Sequence, residues 1–163
     1  MTEILEFAKK LEREGKKYYS QLEKKTSEKG LRGIFHALAR EEQNHFNLFA
    51  AWKKEIPHPP PAESRILGKA KEVFAALAKD FSISDNLINH EKAYAKALEL
   101  EQKSIAFYTE AKTKTDVPEH QTLFAFLIGE EKKHAFLMEN LIEFVRRPRQ
   151  WVEDAEFNHL DEF

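Results

Sequence analysis

The chain contains one internal repeat, at the 89-residue offset that separates His45 from His134. The alignment needs no gap and pairs identical residues, which are Ala8 and Ala97, Leu11 and Leu100, Glu12 and Glu101, Tyr19 and Tyr108, Phe35 and Phe124, Leu38 and Leu127, Glu42 and Glu131, His45 and His134, and Leu48 and Leu137. Repeated units of this kind pack so that each buries the apolar face of the other. We therefore expect two similar halves related by a pseudo-twofold axis, with equivalent residues meeting at any site on that axis.

Apolar residues recur at three- and four-residue spacing between the breaks made by proline and glycine, which is typical of amphipathic helices. The spacing predicts four long helices, over about 2–28, from about 31 to the Pro-rich segment 57–61, over about 86–115, and over about 118–148. Gly30 and Gly33 are expected to loosen the first connection. A shorter helix is expected around 66–77. The predicted fold class is all-α: a four-helix bundle built from two repeated helix hairpins, with a long crossover that carries a short extra helix.

A length of 163 residues suits a single domain with one core. We expect residues 1–148 to form the bundle and residues 149–163 to form a tail. The tail should pack on the bundle or on a partner subunit, because Trp151, Phe157 and Phe163 are too many aromatic residues to leave in water. The N-terminal segment lacks an apolar run of secretory type, and no stretch reaches the ~18 apolar residues of a membrane span. The expected location is cytoplasmic.

Charge and cysteine content exclude several classes of site. The formal net charge is −2 and both signs are mixed along the chain, so no basic face for nucleic acid is predicted. The chain has no cysteine, which excludes disulfides, thiolate nucleophiles, and iron–sulfur or zinc–thiolate sites within it. Any bound metal must therefore be held by oxygen and nitrogen.

Four glutamates and two histidines fall inside the apolar stripes. A spacing of seven residues is nearly two helical turns and keeps side chains on one face. By this spacing Glu12 follows Leu5, Glu42 follows Phe35 and His45 follows Leu38; in the second half Glu101 follows Tyr94, Glu131 follows Phe124 and His134 follows Leu127. All six polar side chains are therefore predicted to point into the core.

Burying four carboxylates together is costly unless positive charge compensates them, because each resists desolvation and repels the others. Two divalent cations would balance the four negative charges, and two neutral imidazoles can complete the ligand sets. The Glu-x-x-His pairs, Glu42 with His45 and Glu131 with His134, place two ligands one turn apart on one face. The pattern therefore predicts a two-metal site, and its oxygen-rich ligands favour iron or manganese over a structural zinc. A buried polar network without metal is the alternative.

Three further residues near these motifs are interpreted as structural. Glu41 and Glu130 repeat as well, but each lies about 100° around its helix from the neighbouring ligand, which predicts surface salt bridges rather than ligation. Met138 shares a face with Glu131, but a single methionine is usually core packing. No haem is expected.

The motifs resemble those of the ferritin-like superfamily and, within it, of the rubrerythrin-like proteins, here without the rubredoxin domain. The resemblance covers the four long helices and implies a centre of two iron ions, with manganese or a mixed pair as alternatives. The implied ligands are Glu12, Glu42, His45, Glu101, Glu131 and His134. Tyr19 and Tyr108 match family tyrosines that hydrogen-bond the ligand carboxylates, which implies a catalytic role for them.

Two departures from the family pattern limit what the resemblance implies. The absence of cysteine means that electrons would come from a separate donor protein such as a rubredoxin. The family's additional carboxylate on the third helix is missing, since Leu98 and Ser104 flank Glu101 on that face. Redox-linked ligand switching is therefore not implied for this chain.

The leading functional hypothesis is an oxidoreductase that reduces hydrogen peroxide at a diferrous centre. Dioxygen is the alternative oxidant. The alternative functions are a ferroxidase or iron-handling ferritin-like protein, which oxidises iron and passes it into a cage, and a metal-free structural helix bundle. The family resemblance suggests a homodimer, and the long crossover leaves exchange of hairpins between two chains open.

Overall fold

A computed structural model describes residues 1–53, 62–79 and 90–146, which form five helices. These are α1 (Thr2–Lys25), α2 (Lys29–Lys53), α3 (Ile66–Leu77), α4 (Glu91–Thr113) and α5 (Pro118–Arg146). The Pro-rich segment 57–61, the predicted start of the third long helix near Asn86, and the tail 149–163 lie outside the described residues. Within the described residues no helix is both long and apolar enough to cross a membrane.

The helices pair as the repeat predicts. Helix α1 packs along α2, α4 packs along α5, and the two hairpins meet through α1 and α4. Helix α3 lies across α2 and α5, where Phe74 stacks on Phe144 with ring centroids 5.9 Å apart. The described residues confirm the predicted all-α bundle of two hairpins with a short extra helix in the crossover.

Two apolar clusters form the core, one toward each end of the bundle. The α3 cluster includes Tyr19, Phe35, Tyr94, Phe74 and Phe144, and the Phe49 cluster consists of Leu5, Ala8, Phe49, Tyr108, Ala111, Phe124 and Leu127. In every long helix the predicted metal-ligating residues lie in sequence between members of the two clusters. The apolar packing that holds the bundle together therefore also closes off both ends of the polar centre.

The first connection is tighter than the sequence suggested. Gly30 and Gly33 were expected to loosen it, but α2 begins at Lys29 and includes both. The Glu28 carboxylate starts the helix by accepting hydrogen bonds from the backbone N–H groups of Gly30 (2.9 Å) and Leu31 (2.6 Å). A Cβ atom on Gly30 would lie 2.8 Å from Val73 Cγ1, so the glycine allows α3 to approach α2 closely. The expectation of a loose connection was wrong because the glycine serves helix packing.

We expect Gly30→Ala to destabilise the protein. The added methyl group must displace Val73, whose branched side chain has little freedom, at a cost of about 1–3 kcal/mol. In a domain of this size each kcal/mol lowers the melting temperature by roughly 2–4 °C. Gly68→Ala in α3 is the matched control, since nothing lies within 4 Å of its added Cβ, and it should stabilise the helix by up to about 1 kcal/mol. Equal melting temperatures for the two variants would contradict the close contact.

Candidate metal centre

The structure brings all six sequence-predicted ligands to one place in the middle of the bundle. Helix α1 supplies Glu12, α2 supplies Glu42 and His45, α4 supplies Glu101, and α5 supplies Glu131 and His134. Each of the six is at most 3 % exposed. The prediction from the seven-residue spacing that these six side chains point into the core is thus confirmed.

The six residues form two overlapping groups of potential ligands. One group is Glu12, Glu42, His45 and Glu131, and the other is Glu42, Glu101, Glu131 and His134. In each group the ligand atoms all lie within 4.8 Å of one another. Glu42 and Glu131 belong to both groups, so each could contribute to two ions, whereas each of the other four residues belongs to one group.

The imidazole rings and the shared carboxylates are oriented consistently with this arrangement. Glu131 directs Oε1 toward His45 Nδ1 (3.0 Å) and Oε2 toward His134 Nδ1 (3.3 Å). Glu42 likewise directs Oε2 toward His45 Nδ1 (3.9 Å) and Oε1 toward His134 Nδ1 (3.1 Å). Both histidines therefore face the centre through Nδ1, and each shared carboxylate offers one oxygen to each side.

Several atoms of the centre are buried without a hydrogen bond to any described residue. They are Glu12 Oε2, His45 Nδ1 and both carboxylate oxygens of Glu131. An unsatisfied buried polar atom costs about 1–3 kcal/mol, and more when it is charged. Bound cations would supply the missing partners, and oxygen donors with one imidazole nitrogen per ion suit iron or manganese. The residues present thus fit a two-metal centre.

Without a cation the carboxylates compete for protons. Burial and repulsion from Glu131 raise the pKa of Glu42 well above its usual value and the pKa of Glu101 to about 8. Burial also opposes ionisation of Glu131, but the facing His45 and His134 outweigh it and hold the pKa of Glu131 below its usual value. The pKa values of both histidines are raised by the carboxylates, despite burial. The metal-free centre therefore holds protons in place of cations.

Two buried tyrosines each fix one carboxylate of the opposite hairpin. The Tyr108 hydroxyl donates to Glu12 Oε1, and the Tyr19 hydroxyl donates to Glu101 Oε1. Burial raises the pKa of both phenols, so they remain donors. Tyr108 takes Oε1 of Glu12, and the other oxygen, Oε2, lies 3.4 Å from His45 Nδ1 in the centre. The tyrosines thus orient the carboxylates that belong to only one ligand group.

The family model described as Rubrerythrin matches residues 3–142. The chain belongs to the rubrerythrin family. No match was found among curated proteins or among solved structures. Membership in the family supports a ferritin-like fold and a di-iron type of centre, and the paired carboxylate and histidine groups fit that type.

The positions one turn beyond Glu12 and Glu101, the glutamates that belong to a single ligand group, carry small residues. Ser104 follows Glu101 on α4 and is 8 % exposed, and the repeat places Gly15 in the same relation to Glu12. A Cβ atom on Gly15 would lie 3.2 Å from Glu42 Cδ. Neither position brings another carboxylate to the centre, and Gly15 leaves the space that the shared Glu42 occupies.

Two residues beside the centre, Glu41 and Glu130, were assigned to the surface from the sequence, and this was wrong. Glu41 was expected on the surface, but its side chain is only 22 % exposed and its Oε2 lies 2.7 Å from His134 Nε2. Its repeat partner Glu130 is also buried, at 4 % exposure, and pairs with Lys133 Nζ at 2.8 Å. Glu41 and Glu130 do lie about 100° around their helices from the neighbouring ligands, as predicted. That side of α2 and of α5 is covered, however, by the other helix and by the segment just before α3. The repetition of Glu41 and Glu130 was the available signal.

A pocket of about 260 Å³ lies on this side of the bundle, between α2 and α5. It is lined by Glu41, His45, Ser64, Phe126 and Glu130, among others. His45 is thus both a wall of the pocket and a member of the candidate centre. The pocket therefore borders the candidate centre on its His45 side.

Substitution of a shared carboxylate should affect both ions, and substitution of an unshared one should affect a single ion. We expect Glu131→Ala to lose both ions and Glu12→Ala to retain one, because Glu131 belongs to both ligand groups. Metal per chain would be measured by elemental analysis after anaerobic loading with ferrous iron and desalting. Glu139→Ala, on the exposed face of α5, is the control and should bind as wild type does. Full loading of Glu131→Ala would contradict the shared role.

The metal-free protein should lose stability as the pH rises. The pKa values of Glu42 and Glu101 are raised above the ordinary 4.5, that of Glu101 to about 8, so their protonated forms are favoured in the folded state. The raised histidine pKa values act in the same direction. We expect a lower melting temperature at pH 8 than at pH 6 without metal, and the reverse trend with saturating Mn²⁺, whose ligands must be deprotonated. A metal-free melting temperature that rises between pH 6 and pH 8 would contradict this.

Proposed function

We propose that this chain is a non-haem di-iron oxidoreductase that reduces hydrogen peroxide with electrons from a separate donor protein. The observation that carries the proposal is the pair of buried ligand groups that share Glu42 and Glu131. Two ferrous ions bound there would supply two electrons, which with two protons convert hydrogen peroxide to two molecules of water while both ions become ferric.

The protein's own residues would prepare the site for this reaction. Glu42 and Glu131, which belong to both ligand groups, would hold the two ions side by side. Tyr19 and Tyr108 keep the carboxylates of Glu101 and Glu12 oriented. The two apolar clusters exclude bulk water from both ends of the centre. The pocket beside His45 would admit a reactant as small as peroxide. This combination supports a small oxidant rather than a bulky substrate.

The electron supply is part of the proposal. The chain has no cysteine, so it cannot itself hold a cysteine-ligated iron site of the rubredoxin type. A separate one-electron carrier, such as a rubredoxin, would return the diferric centre to the diferrous state. We further propose that the protein works as a homodimer.

Iron oxidation is the second candidate function, with ferrous iron as the substrate and dioxygen as the oxidant. It is favoured by the carboxylates of Glu41, Glu63 and Glu130 at the pocket, which would attract cations. Lys133 pairs with both Glu63 (3.5 Å) and Glu130 (2.8 Å) and offsets part of that charge. A metal-free structural bundle is disfavoured by the buried atoms of Glu12, His45 and Glu131 that lack a hydrogen bond within the described residues.

Rapid mixing of the anaerobic diferrous protein with each oxidant separates these functions. We expect peroxide to oxidise the centre at least about tenfold faster than dioxygen does at equal concentration. The reaction is monitored by the ultraviolet absorbance of the ferric product. The Glu131→Ala variant is the control and should show only the rate of free iron. The peroxidase proposal fails if dioxygen is the faster oxidant. Turnover of many ferrous ions per chain by a large assembly would instead favour iron oxidation.

A further inference from the structure

The two histidines of the centre differ in the partner of Nε2, the ring nitrogen that does not face the shared carboxylates. His134 Nε2 lies 2.7 Å from Glu41 Oε2, while its Nδ1 faces Glu42 and Glu131. A neutral imidazole that binds a cation through Nδ1 carries its proton on Nε2, and Glu41 is placed to accept that hydrogen bond. Such a carboxylate fixes the ring orientation and makes the imidazole a stronger ligand.

Glu41 is itself held by Ser64, in the segment just before α3. Ser64 Oγ donates to Glu41 Oε1 at 2.7 Å and accepts from the backbone N–H of Ile66 at 3.1 Å. The backbone N–H of Ser64 donates to Glu130 Oε2 at 2.9 Å. One residue therefore connects α2 with α5 across the pocket, and both oxygens of Glu41 have a defined partner.

The repeat predicts the same contact for the other histidine, but the structure lacks it. The repeat partner of Glu41 is Glu130, which should approach His45 as Glu41 approaches His134. Glu130 instead bonds to Ser64 N–H and to Lys133 Nζ. In the described part of the chain the carboxylates near His45 all face its Nδ1, and none pairs with its Nε2.

The surroundings of the two rings differ in the same sense. Both are buried, with His134 at 0 % and His45 at 3 % exposure, but His45 lines the pocket between α2 and α5 and His134 does not. We propose that Glu41 is a positioning residue that makes the two halves of the centre unequal, so that the ion on the His134 side binds tightly and the ion on the His45 side binds weakly and exchanges first. This inference rests on the two-metal centre of the proposed function, but not on peroxide as its substrate.

Binding of Mn²⁺ alone to the metal-free protein tests the proposal, with Glu41→Gln and Glu130→Gln as a pair matched by the repeat. We expect wild type to bind two ions in two resolved calorimetric steps and to release them to a chelator in two phases. Glu41→Gln should weaken the tighter step by about 10–100-fold, the usual effect of losing such a partner, whereas Glu130→Gln should leave that step within about twofold of wild type. Equal losses in both variants would overturn the proposal.

Two measurements that do not depend on the Glu41 and Glu130 variants complete the test. In Zn²⁺-loaded wild type, one histidine Nε2–H is expected to give a downfield, slowly exchanging proton in a ¹H–¹⁵N spectrum, and a His45→Ala spectrum should retain it. Release of both ions from wild type in a single phase would also overturn the proposal. If wild type binds no pair of ions, the proposed function fails with it. If the ions bind equally and peroxide still oxidises the diferrous centre rapidly, only this inference fails.

Discussion

Mutual repulsion among four buried carboxylates is the constraint on which the rest of this structure depends. Glu12, Glu42, Glu101 and Glu131 are each at most 3 % exposed. Burial and mutual repulsion raise the pKa values of Glu42 and Glu101, and the carboxylates face two imidazoles. The surrounding features all serve this centre. Two tyrosines hold one oxygen of each unshared carboxylate, Gly15 leaves space for Glu42, and apolar clusters seal both ends. A cluster of this kind is unfavourable as packing unless positive charge compensates it, and the two ligand groups could hold cations that do so.

Duplication of one helix hairpin explains how a short chain assembles such a centre. Each copy contributes one glutamate from its first helix, a Glu-x-x-His pair from its second, and one tyrosine. The tyrosine of each copy reaches the carboxylate of the other, as Tyr108 does with Glu12. The hairpins are therefore joined by hydrogen bonds as well as by apolar contact, and a correctly formed centre requires both copies to be docked.

Much of the centre could be predicted from the sequence because its residues recur at regular helical spacing. The six candidate ligands share the seven-residue spacing of the apolar stripes, and the stripes determine which face of each helix is buried. Glu41 was missed because its angle on α2 places it off the stripe, and only the three-dimensional structure shows that α5 and Ser64 cover that side. Gly30 was misread for a related reason: a glycine looks the same in sequence whether it allows a turn or the close approach of Val73. Packing of the crossover on the bundle decided both cases.

The crossover is also the natural source of asymmetry in the centre. The two hairpins are copies, so any difference between the His45 and His134 sides must come from substituted positions or from residues outside the repeat. Both causes are present, because Lys133 replaces the Asn44 of the first copy and draws Glu130 toward itself. Ser64 lies between the two copies in sequence and binds Glu41 through its side chain but Glu130 through its backbone. Ser64 contacts both glutamates through different atoms, but Glu41 also contacts His134, whereas Glu130 pairs with Lys133. A symmetric pair of hairpins thus acquires two unequal sides.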